Sequence, residues 1–286
     1  MNKGLVKSNY IAWLLSDKQI MTAVSLMFLY MYTIMPLIEC STLFNEPLGL
    51  FEPYLTFLGN GYCMPIFIIA LLITIIDFPE INNNAGFILI RTGRKRWYTN
   101  QIIFLLMVII TYMVILFIFS VVFTAGISFI LNGWSNVTNN LQLSANLDLK
   151  NKYPLATIDL SIINNFRPYS ALVYSIILMV LQLLFHGQLQ VYLTIRYNRI
   201  VGICSSVGVL GIGLALWASS SNLRWIFPLA NSTIGWHYNK LFRETEYPLW
   251  ISFVYLVVVN VIVYVLGQRS IKNKQFYLEG NVDDQD

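Results

Sequence analysis

The chain has 286 residues, of which 57% are hydrophobic and only 11% charged, with a formal net charge of +4. A soluble domain carries about 25% charged residues, so this composition is too poor in charge for a water-facing surface. The basic residues cluster beside long apolar blocks without interleaved exposed aromatics, a membrane-topology pattern and not a nucleic-acid surface.

Residues 1–18 are mixed, and the patch from Tyr10 to Leu15 between Lys7 and Lys18 predicts an amphipathic helix lying in the membrane interface. The alternative is that it simply begins the first span. Lys3, Lys7 and Lys18 precede an apolar run too long for a signal-peptide core, with no small-residue cleavage site after it, so that run is expected to stay in the protein. It forms the first span, about 19–40, with Pro36 near its far end. The connection 41–56 holds Glu46 and Glu52 and no Lys or Arg. The second span covers about 57–77. Its start, Leu58-Gly59-Asn60-Gly61, followed by Pro65, forms helix poorly, which predicts an irregular outer half.

A loop at 78–100 leads to a third span, about 101–131, longer than the roughly 20 residues a bilayer needs, so it should tilt or project. Residues 132–169 form the longest polar segment and are expected outside the cell. The fourth span covers about 170–195, and Arg196-Tyr197-Asn198-Arg199 is a tight turn. The fifth, about 200–219, carries Gly202, Gly208, Gly211 and Gly213, which allow close helix approach, to another chain or within the bundle. Residues 220–248 are rich in aromatics and broken by Pro228, and predict one or two short re-entrant helices dipping in from outside. The sixth span covers about 249–267, and residues 269–286 form a tail.

With the N-terminus assigned to the cytoplasm, the inner segments hold Lys3, Lys7, Lys18, Arg91, Arg94, Lys95, Arg96, Arg196, Arg199, Arg269, Lys272 and Lys274. The outer segments hold half as many, all in the two long loops. This positive-inside asymmetry predicts both ends in the cytoplasm. The expected fold is therefore an all-α polytopic membrane protein with six transmembrane helices in one domain.

Candidate chemistry is sparse. The cysteines Cys40, Cys63 and Cys204 are odd in number and form no C-x-x-C pair, so neither a zinc site nor a disulfide framework is indicated. Cys40 and Cys63 are both expected near the outer face, where buried thiols are favoured over a bridge. Gln182, His186 and Gln190 share one helical face in the fourth span and form a possible polar pathway, with an interhelical hydrogen bond as the favoured structural role. Asp77 and Glu80 close the second span, and Asp77 can reach the Arg91–Arg96 cluster. Asn136-Val137-Thr138 and Asn231-Ser232-Thr233 have the form of glycosylation acceptors. There is no catalytic triad, zinc-protease motif or phosphate-binding glycine loop, so no catalytic residue, metal or cofactor is assigned to the chain.

The most distinctive stretch begins at Asp77-Phe78-Pro79, continues through Phe87, Ile88 and Ile90 to Arg91-Thr92-Gly93-Arg94-Lys95-Arg96-Trp97, and ends at Asn100-Gln101. Together with residues 8–18 and 220–248 it resembles the type-2 permeases of bacterial ABC transporters, over most of the chain as architecture and most specifically at 77–101. The long outer segment 132–169 departs from the short-looped members. The resemblance implies that 78–100 is a coupling element docking on a separate ATPase subunit through Asp77, Phe78, Pro79, Glu80, Phe87, Ile88, Ile90, Arg91, Arg94, Lys95 and Arg96. It also implies ATP and magnesium on that partner, a second permease copy or paralogue, a lipid environment, and a multi-pass place in the bacterial cell membrane. The implied function is export of amphipathic peptides or lipophilic compounds. The competing readings are a membrane sensor or assembly factor binding a ligand through 132–169 and 220–248, and, least supported, an intramembrane enzyme.

Overall fold

The computed structural model describes residues 3–79, 89, 91–143, 147–240 and 244–273. Within them the chain is mostly helical, with five helices long and apolar enough to cross a membrane, or six if one bent pair is a single span. Large apolar side chains face outward along whole helices, as at Ile110, Val114, Ile118 and Val122, or Trp250, Val254, Val258, Val261 and Val265. Such continuous apolar faces suit lipid and not water.

Helix α1 (Lys3–Leu14) is separate from the first span. It buries Val6 and Trp13, and Tyr10 bonds the Thr111 hydroxyl at 2.6 Å. Ser16 caps the short turn Asp17–Gln19 through the Lys18 amide, and the chain then rises as α2 (Ile20–Leu29). A π-helical stretch, Tyr30–Ile34, leads into α3 (Met35–Phe44). Pro36 has no N–H for an α-helical bond, and the wider turn before it absorbs that loss. The first long helix thus reaches Phe44, beyond the expected limit near 40, and stops at Asn45, whose φ of 51° is a left-handed stop.

The expected connection at 41–56 is only partly a loop. Leu48–Gly49 forms β1, and Glu52 opens helix α4 (Glu52–Gly59), where Pro53 suits the first turn. After Asn60-Gly61-Tyr62 the chain turns by 87° into α5 (Cys63–Thr74). The expected irregular half of the second span is this bend. A Cβ on Gly61 would lie 2.1 Å from the Trp236 indole, so only glycine allows the two to meet.

Helix α6 (Arg94–Thr124) starts earlier than expected, so Arg94, Lys95 and Arg96 form its first turn and do not belong to the preceding loop. It also ends before 131, because Ser128–Phe129 leaves as β2 and pairs in parallel with β1, Leu48 opposite Ser128. The polar segment 132–169 is not an extended loop. It folds into α7 (Asn136–Leu141), α8 (Leu147–Lys152) and α9 (Leu160–Asn165), which cap the bundle end opposite Arg94. Helices α10 (Pro168–Arg196) and α11 (Arg199–Ala218) follow. The short α12 (Pro228–Ser232) is wholly buried against α10, α11 and α13 (Leu249–Asn273). Helix α10 is central and packs on α4, α5, α6, α11, α12 and α13.

One ionisable group anchors the cap. Glu52 is 1% exposed, and its carboxylate accepts the Gly49 amide at 3.2 Å, the Ser135 amide at 2.6 Å, the Ser135 hydroxyl at 2.5 Å and the Thr138 hydroxyl at 2.8 Å. Gly49 leaves room for it, since a Cβ there would lie 2.7 Å from Glu52 Cδ. Bonds to a charged acceptor contribute about 1.5–3 kcal/mol each, and a buried donor left without one costs about 1–3 kcal/mol. Glu52→Gln turns one acceptor oxygen into a donor facing other donors. It is expected to destabilise the protein by about 2–3 kcal/mol. The check is the melting temperature in detergent together with proteolysis at 130–143, which should become the first region cut.

Candidate functional site

Three polar constellations are candidates, one at each end of the bundle and one between them. At the basic end, Asp77 follows α5 and is largely exposed. Its carboxylate pairs with Lys18 and, at 3.0 Å, with Arg199. The expected pairing with the Arg91–Arg96 cluster does not form. The turn before α2 and the α10–α11 turn lie nearer to Asp77 and supply its cations. Phe78 and Pro79 are buried, Phe78 against the Phe104 ring at 4.1 Å, so they pack the bundle and do not join an exposed face. Glu80, Phe87, Ile88 and Ile90 lie outside the described residues.

Leu89, Arg91 and Thr92 are helical, and Leu89 is buried in the main core. Gly93, with a φ of 80°, then redirects the chain into α6. Arg91, Arg94, Lys95 and Arg96 are all exposed, and the first turn of α6 has no acidic residue. Arg94 donates to the Lys272 carbonyl of α13, while among the described residues none of Arg91, Lys95 and Arg96 forms an ion pair. The N-terminus of a helix already carries about half a positive charge. This end of the molecule is therefore a concentrated cationic surface that the described residues do not neutralise.

In the middle of α10, Gln182, His186 and Gln190 are brought to one buried face. Gln182 and His186 bond each other at 3.0 Å within the helix. Gln190 makes the interhelical bond: its amide donates to the Leu72 carbonyl near the end of α5 and to the Ile75 carbonyl, which also accepts the Phe78 amide. Gln182 Oε1, His186 Nδ1, Gln188 Oε1, Gln190 Oε1 and Thr194 Oγ1 are buried without a partner among the described residues. The face is polar and buried.

At the cap, Asn231, Ser252 and His237 form a network that sequence reasoning missed. Both Asn231 amide bonds go to the Trp225 and Phe227 carbonyls, and its Oδ1 accepts the Ser252 hydroxyl at 2.8 Å. Ser252 Oγ lies 2.7 Å from His237 Nε2, and His237 Nδ1 donates to the Thr233 carbonyl at 3.0 Å. The sequence signal was the density of polar groups beside aromatics at 225–247. The partner Ser252 sits inside an apolar span and gave no sign of itself. Of the two tripeptide acceptor patterns, Asn231 is fully buried, whereas Asn136 is exposed, with the hydroxyl of Thr138 bonded to Glu52. Cys40, Cys63 and Cys204 are all free thiols.

Comparison with protein families, with characterised proteins and with solved structures finds no match to this chain.

Burial pushes the His237 imidazole down to about 4, with the Arg224 guanidinium acting in the same direction and backbone bonds to Thr233 and Ile234 opposing. An unfolded histidine titrates near about 6.5. Between these values the unfolded chain holds the extra proton, so the contribution of His237 is complete above about pH 6.5 and is lost as pH falls toward 4. Relative to His237→Gln, the parent protein should lose about 3 kcal/mol of stability between pH 7 and pH 4. Melting temperatures of the two proteins across that range check the difference.

Proposed function

We propose that this chain is the permease subunit of a bacterial ABC exporter, lying in the cell membrane with both ends in the cytoplasm. It forms the substrate pathway and couples to a separate ATPase subunit, which binds ATP and magnesium. Amphipathic peptides or lipophilic compounds are the cargo classes that the family resemblance suggests.

The observation that carries this reading is the cationic end of α6. Three cations sit in the first turn of a 31-residue helix, where the dipole opposes them, and Arg91 stands just before it. An acidic protein rim or lipid phosphates relieve that repulsion. The cluster abuts the end of α13 through Arg94, so force applied there has a direct mechanical path into two long helices. A second copy of the chain is supported by α11. Gly202 and Gly213 face inward against Thr194 and Leu229, whereas Cys204, Gly208, Gly211, Ala215 and Ala218 form an exposed small-residue stripe. Such a stripe suits close approach by another helix.

The reading is tested by placing a photo-crosslinker at position 94 in native membranes. Capture of an ATPase is expected, and Lys95→Glu with Arg96→Glu should abolish it. A crosslinker at 94 that captures only lipid sinks the coupling role and leaves the four cations as topology signals. A sensor or assembly factor is a second reading, favoured by the cap pocket described next. Vesicle transport with and without ATP separates the two.

A further inference from the structure

At the cap end, where the α4–α5 bend meets α11, lies a pocket of about 350 Å³. Ligand sites start at about 300 Å³. Its floor is built from Trp217 and Trp236, stacked at 4.5 Å and 11°, with Tyr62 meeting Trp217 edge-on at 4.9 Å. Gly61 makes that floor possible, because any side chain there would displace Trp236. The walls come from Gln142, Lys150, Pro154, Thr157 and Lys240, together with residues 59–62.

Three charged groups among the described residues line it: Lys150, Lys240 and Asp159. Lys240 faces Asp159 at 3.5 Å, and Asp159 also caps α9 through the Ser161 amide. Lys150 donates at 2.7 Å to Gln142 Oε1, a neutral acceptor. Gln142 is itself held by donating to the Ile158 carbonyl at 2.5 Å. The pocket therefore has an aromatic floor and, from its described residues, a net charge of one cation, located at Lys150 and held in place by an anchored amide.

We propose that this pocket binds a monoanionic amphipath, with its carboxylate or phosphate on Lys150 and its apolar or planar body over the Trp217–Trp236 pair. This site does not depend on ATP or on the basic end of the molecule. The two sources of such chemistry are an anionic lipid and a free aromatic acid.

The test uses the full chain in phosphatidylcholine nanodiscs and isothermal titration calorimetry. Dioctanoyl-phosphatidylglycerol and 2-naphthoate are titrated, with zwitterionic dioctanoyl-phosphatidylcholine and neutral 2-naphthamide as their counterparts of zero net charge. Saturable binding of at least one anion is expected, about tenfold tighter than its counterpart. The anion that binds identifies the source. Lys150→Gln should weaken it about tenfold, and Lys150→Arg should keep most of it. Asp159→Asn retains the helix cap and raises the pocket charge by one, so it should tighten binding about threefold. A general structural defect would not tighten anything. No saturable binding of either anion, equal binding of the counterparts of zero net charge, or a Lys150→Gln protein that binds as the parent does, each overturns the proposal. Because the Lys95→Glu, Arg96→Glu protein should bind as the parent does, failure here and failure of the coupling reading are distinguishable.

Discussion

A carboxylate buried without a cation is costly to desolvate, and Glu52 persists because four donors converge on it. Those donors come from the β1 turn before α4 and from the start of α7, which are more than eighty residues apart in sequence. The bond set therefore does what apolar packing at a membrane surface does poorly: it fixes a polar segment in one position. With α4 held, the 87° bend into α5 is placed, and with the bend, Gly61 is placed beneath Trp236. The β1–β2 pair beside it draws the far end of α6 to the end of α3. The aromatic floor of the cap pocket depends on this chain of contacts.

The two ends of the bundle handle charge in opposite ways. At the cap, charged and polar groups are consumed internally: Glu52 by backbone and hydroxyls, Asp159 by Lys240, Glu246 by Arg224, and His237 by Ser252 and Thr233. At the other end, Asp77 takes Lys18 and Arg199, and Arg91, Lys95 and Arg96 face outward. Exposed pairs such as these contribute at most about 1 kcal/mol, so that end owes little stability to its charges. Among the described residues, Arg91, Lys95 and Arg96 form no ion pair. Between the ends, α10 carries amides and an imidazole: Gln190 donates to two carbonyls at the end of α5, and Gln182 and His186 satisfy each other in part.

This division bears on the transport and sensing readings. A permease needs a surface that receives force and a bundle that transmits it, and α6 with α13 supplies a continuous route from Arg94. A sensor needs a shaped site away from that surface, and the pocket over Trp217 supplies one. The two demands fall on different ends of the same helices, so one molecule can serve both.

Much of the helical layout was legible in the order of residues. The apolar runs at 170–195, 200–219 and 249–267 match α10, α11 and α13 closely, because twenty or so consecutive apolar residues have few alternatives to helix in a bilayer. The weakness at Leu58-Gly59-Asn60-Gly61 marked the bend, since glycine and asparagine end helices by their own backbone preferences. The start of α6 was misplaced, because Arg94-Lys95-Arg96 reads as loop by charge and only packing of Trp97, Asn100 and Gln101 makes it helix. The tertiary structure alone decided that Glu52 meets Ser135 and Thr138, that Asp77 takes Lys18 and Arg199, and that His237 reaches Ser252. Local propensity and hydrophobic periodicity act within a few residues, whereas these polar pairings join distant segments and exist only once the apolar helices have brought them together.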